Sequence, residues 1–109
     1  MSSISTSNNT IDAPPVPGMS PVHPGAVLAE ILADHGLNEL DAAVRLGVSR
    51  QTLHRLLAEQ QRVSAEMALR LGRLCGNGPE IWLNLQTQYD LALARERSGA
   101  QVAAVKPLT

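Results

Sequence analysis

From residue 23 to residue 97 the apolar side chains recur three and four positions apart. Val27, Leu28, Ile31 and Leu32 form one stripe, Leu53 and Leu56 a second, Met67, Leu71 and Leu74 a third, and Ile81, Trp82, Leu85 and Tyr89 a fourth. That period puts apolar residues on one face of a helix. It predicts helices over residues 26–34, 39–46, 50–58, 65–74 and 79–97. Start and stop signals agree with the stripes: Asn38, Ser49 and Ser64 are N-cap residues, Asp41 completes an arrangement like a capping box, and Pro24 and Pro79 lie in first turns. His35-Gly36, Gly47 and Gly76-Asn77-Gly78 end helices.

The pattern therefore predicts an all-α chain with a five-helix domain over residues 23–97. Residues 1–22, rich in Ser, Thr, Asn and Pro, read as a disordered N-terminal tail, and residues 98–109 as a C-terminal tail with too little pattern to assign. At 109 residues the length suits one small domain. With no Phe, one Trp and one Tyr, its core has to be aliphatic.

The stretch LNELDAAVRLGVSRQTLHRLL, residues 37–57, organises the rest. Ala43 suits a close helix crossing, Gly47 permits a positive φ, and Leu53 and Leu56 turn the following helix inward. The face left exposed carries Arg50, Gln51, Thr52, His54 and Arg55, every one long or hydrogen-bonding. A polar face on the second helix of such a pair suits a DNA groove. Arg can span O6 and N7 of guanine and Gln can span N6 and N7 of adenine, so Arg50, Gln51 and Arg55 are first choices for base edges. Ser49 and Thr52 suit phosphate, His54 suits either, and Arg62 and Arg70 are candidates for flanking phosphates.

Charge refines this picture. The formal net charge is −1, which argues against a general polyanion binder. Residues 39–75, however, hold six arginines against four acids, a local +2. That suits a dimer holding DNA better than a monomer.

Other chemistry is thin. One cysteine, Cys75, excludes an internal disulfide and reads as a buried structural thiol. The histidines at 23, 35 and 54 are too scattered for a metal motif, and no nucleophile set, phosphate loop or cofactor motif appears, so an enzyme is not expected. No apolar run approaches the roughly 20 residues that span a bilayer, and the N-terminus lacks the form of a signal peptide, so a cytoplasmic protein is expected. The last helix offers more apolar surface than one small bundle encloses. On pattern alone Trp82 reads as core, and Tyr89 as surface for a second copy.

HPGAVLAEIL, LGVSRQTLHRLL, SAEMALRLGRLCG and PEIWLNLQTQYDL together resemble the HigA-type antitoxins, a branch of the Cro/repressor-like (XRE) helix-turn-helix proteins. The resemblance implies a lambda-repressor-like fold and a homodimer that represses its own operon at a palindromic operator. It also implies a partner, a RelE/HigB-like toxin that cleaves mRNA, and neither a cofactor nor a small-molecule substrate. The DNA role would fall on Ser49, Arg50, Gln51, Thr52 and Arg55, and dimerisation on Trp82, Leu85 and Tyr89. Two positions depart from the family pattern. Ala26 replaces a glutamate that commonly follows HPG, and Glu39 stands where glutamine often helps hold a phosphate. Neither is expected to touch the reading face. The alternatives are a solitary XRE-family repressor without a toxin, or an interaction module that has lost DNA binding.

Overall fold

The computed structural model describes residues 21–109. Five helices follow in order: α1 (Pro24–Asp34), α2 (Glu39–Leu46), α3 (Arg50–Leu57), α4 (Ala65–Cys75) and α5 (Pro79–Ala103). No strand occurs among the described residues. The chain divides into two compact units, Val22–Gln86 and the remainder of α5 with the C-terminal residues, Thr87–Thr109.

Within Val22–Gln86, α3 packs against α1 and α2, and α2 packs against α4. The core joins Leu28 and Leu32 of α1, Ala42, Ala43 and Leu46 of α2, Leu53 and Leu56 of α3, Met67, Ala68 and Leu71 of α4, Val63 and Trp82. Burial of each large aliphatic side chain in such a cluster stabilises the fold by about 1.5–3 kcal/mol. Ala42 and Ala43 let α2 approach its neighbours closely because neither carries more than a methyl group.

The predicted caps are in place. Asn38 Oδ1 accepts from the Asp41 amide at 2.8 Å, Ser49 Oγ from Thr52 at 3.0 Å, and Ser64 Oγ from Met67 at 3.1 Å. Each satisfies one of the amides that a helix start leaves without an intrahelical partner. The first helix begins two residues earlier than the pattern predicts. Buried His23 is its N-cap, accepting at Nδ1 from the Gly25 amide at 2.9 Å. Gly25 is required there, because a Cβ would collide with the Leu56 carbonyl.

The C-terminal helix differs more. It was expected to end near Arg97 but continues to Ala103, with a break at Ser98 (φ −130°, ψ 15°). Ser98-Gly99 are poor helix formers and end the readable pattern, whereas Ala100, Gln101, Val102 and Ala103 accept helical geometry once the chain has passed them. No helix among the described residues is long and apolar enough to cross a membrane.

Candidate nucleic-acid interface

The turn between α2 and α3 fixes the candidate surface. Gly47 takes a left-handed conformation (φ 74°, ψ 30°), and the amides of Gly47 and Val48 both bond back to the Ala43 carbonyl, at 2.9 and 3.1 Å. This Schellman-type ending reverses the chain in three residues and delivers Ser49 to cap α3. The eight-residue α3 then has two clean faces. Leu53 and Leu56 are buried, while Arg50, Gln51, His54 and Arg55 are exposed. A short helix held on one side by the core and presenting long polar side chains on the other can enter a major groove.

The polar side chains are not equivalent. The hydroxyl of Ser49 accepts the Thr52 amide and donates to Thr52 Oγ1 at 2.8 Å. Its first task is therefore the cap, and Thr52 keeps its own hydroxyl hydrogen for an outside acceptor. Gln51 and Arg55 are exposed on the same helix. Arg62 is exposed in the connection to α4.

Arg50 and His54 share an acid. Glu39 Oε1 lies 3.5 Å from Arg50 Nε, and its carboxylate oxygens lie 3.2 and 3.3 Å from His54 Nδ1. Glu39 thus stands on the reading face, contrary to the expectation that this departure from the family pattern leaves that face untouched. The cause is the helix crossing, which brings the first turn of α2 beside one exposed edge of α3.

The helix-turn-helix family model matches residues 28–83, just over half of the chain. The chain is 37% identical over 92 residues to virulence-associated protein I of Dichelobacter nodosus, covering 84% of each chain. It is 36% identical over 89 residues to antitoxin HigA-1 of Vibrio cholerae serotype O1, covering 81% of this chain and 84% of that one. Its structure is similar to the Pseudomonas aeruginosa antitoxin HigA with the higBA promoter, at a TM-score of 0.77 and 37% identity over 82% of this chain and 99% of that one. The chain belongs to the HigA-type helix-turn-helix family.

Within this HigA-type fold two expected roles change. Arg70, a candidate for a flanking phosphate, donates from Nη1 to the carbonyls of Leu46 and Gly47, at 2.8 and 3.4 Å, and pairs with Glu66 through Nε and Nη2. Its guanidinium caps the C-terminal end of α2, where carbonyls lack intrahelical partners and a cation is favoured. Trp82, placed at a dimer interface by the family resemblance, is fully enclosed in its own chain, and its Nε1 donates to Asn77 Oδ1 at 3.0 Å. An indole so enclosed cannot form an exposed contact surface, and the pattern-based reading of Trp82 as core is the correct one. Leu85 is half-buried against the core and Tyr89 is partly exposed. Apolar surface remains on this helix at Ile81, Leu83 and Leu91.

Gln86 is the residue that sequence reasoning missed. It is almost fully buried, and its Oε1 accepts from the Val63 amide at 2.8 Å, tying the α3–α4 connection to the last helix. The only available signal was a polar residue on the stripe that otherwise holds Trp82 and Leu85. Cys75 is half-buried, not buried as the sequence predicts, and this partial burial still pushes its thiol above the ordinary range. Among the described residues no group of three or more His, Cys, Asp or Glu side chains comes together to hold a metal ion.

Proposed function

We propose that this protein is the antitoxin of a type II toxin–antitoxin pair. It neutralises a RelE/HigB-like mRNA-cleaving toxin and, as a homodimer in the cytoplasm, represses its own operon at a palindromic operator. The observation that carries the DNA half is the division of α3 into a buried Leu53–Leu56 face and an exposed face of Arg50, Gln51, His54 and Arg55. The similar Pseudomonas aeruginosa HigA, whose structure was determined with the higBA promoter, supports the same use of the motif.

In this reading Arg50, Gln51 and Arg55 reach base edges, Thr52 and Arg62 contact phosphate, His54 borders the reading set, and Ser49 fixes the helix start. A second copy supplies the second recognition helix, one DNA turn away. Leu85 and Tyr89 on α5 supply the dimer contact. The weak local charge explains the need for two copies, because each monomer neutralises few phosphates.

The test is to purify the protein and measure its binding to the DNA immediately upstream of its gene, with a scrambled duplex as reference. Selective binding lost about 5- to 150-fold on Arg50→Ala or Gln51→Ala, with relaxed selectivity at one base pair, supports the reading. Unchanged binding removes those side chains from the reading set. Co-purification with a small basic protein encoded beside the gene tests the toxin half. Selective DNA binding with no such partner favours a solitary repressor.

A further inference from the structure

Glu39 places a negative charge where a polyanion has to approach. Glu39, Arg50, Gln51 and His54 line one shallow depression at the exposed edge between α2 and α3. Glu39 has the favourable place of an acid in the first turn of α2, but its ion pairs add little to fold stability. The side chains of Arg50 and His54 are 66% and 64% exposed, and ion pairs between groups so exposed to water contribute little. An acid beside phosphate also opposes binding.

The geometry gives the acid a different use. Its carboxylate faces Nε of Arg50, so the two terminal Nη groups, the pair that matches guanine O6 and N7, are left for a base. The same carboxylate faces Nδ1 of His54, which leaves Nε2 as the free ring nitrogen on that helix. A long arginine held at one side loses less rotamer freedom when it binds, and it cannot swing equally well onto any nearby phosphate.

We propose that Glu39 is a positioning residue for base reading: it orients Arg50 and His54 toward one base step, while its charge lowers affinity for every duplex alike. This rests on the DNA-binding reading above and adds how selectivity is produced.

The experiment compares wild type, Glu39→Ala, Glu39→Gln and Arg50→Ala on the duplex upstream of the gene, on a scrambled duplex, and on a series with each base pair replaced in turn. Thermal unfolding accompanies each variant. The base pair read by Arg50 is the one whose replacement no longer matters to Arg50→Ala. Glu39→Ala is expected to bind the scrambled duplex several-fold tighter and to lose about ten-fold of its discrimination at that base pair. Glu39→Gln keeps an oxygen acceptor without the charge. It is expected to bind all duplexes tighter while retaining most of the base profile.

A merely structural role would weaken Glu39→Ala on every duplex alike and leave its base profile unchanged. That result overturns the proposal, as does a wild-type profile with wild-type affinity for scrambled DNA. If wild type does not prefer the upstream duplex, the DNA-binding reading fails and the proposal falls with it. A selective wild type beside an unchanged Glu39→Ala removes only the role of Glu39.

Discussion

Arg70 on α4 donates to the carbonyl of Leu46, the last residue of α2, at 2.8 Å. One guanidinium therefore secures the end of the first helix of the motif, at the point where the chain turns toward the reading helix. Gly47 is required at this turn by its left-handed φ of 74°, and Arg70 Nη1 sits beside it at the same helix end.

Arg70→Ala should lower stability by about 1.5–3 kcal/mol, the range for a hydrogen bond to a charged group. Glu66→Ala should change it by under about 1 kcal/mol, because Glu66 is 75% exposed and its pair with Arg70 is screened by water. Urea unfolding of both variants distinguishes capping from ion pairing. Equal losses would show that the ion pair, and not the carbonyl cap, holds Arg70.

Gln86→Leu should cost about 1–3 kcal/mol despite filling similar space, because the buried Val63 amide loses its acceptor. Gln86→Glu keeps an acceptor and should cost less at neutral pH than the apolar variant if the carboxylate reaches the amide. Unfolding midpoints in urea decide the order. A Gln86→Leu variant as stable as wild type would show that another acceptor serves Val63.

His23→Ala should cost about 0.5–2 kcal/mol by removing the acceptor for the Gly25 amide at the start of α1. His23→Asn should recover part of this loss, since asparagine is a favoured N-cap. Hydrogen exchange at the Gly25 amide gives a local readout. Faster exchange in the alanine variant and slower exchange in the asparagine variant are expected.

Cys75 should react slowly with iodoacetamide at pH 8, because burial raises its pKa and keeps the reactive thiolate scarce. The sign also runs through stability. The unfolded chain ionises its thiol at a lower pH than the folded chain, so alkaline pH favours unfolding through this group. Between pH 7 and pH 9.5, wild type should lose more stability than Cys75→Ser. Identical pH dependence would show that the thiol does not contribute.

How far the sequence can be read is visible in single residues. Asn38, Ser49 and Ser64 announce helix starts because a cap acts within three residues of itself. Leu53 and Leu56 announce the buried side of α3, because periodicity records which face meets the core. His23 gave no such signal as a cap, since histidine is not among the favoured N-cap types.

By itself, then, the sequence determined the five helices, the tight turn at Gly47, the inward face of each helix in the motif, and the polar set available for reading. Local hydrogen bonding and apolar period suffice for those features. Only the tertiary structure decided which polar groups meet: Glu39 with Arg50 and His54, Arg70 with the Leu46 carbonyl, and Gln86 with the Val63 amide. These partners lie 11 to 24 residues apart, and the approach of one helix to another, which no local pattern encodes, brings them together. The same crossing enclosed Trp82 and turned an expected phosphate contact at Arg70 into a helix cap.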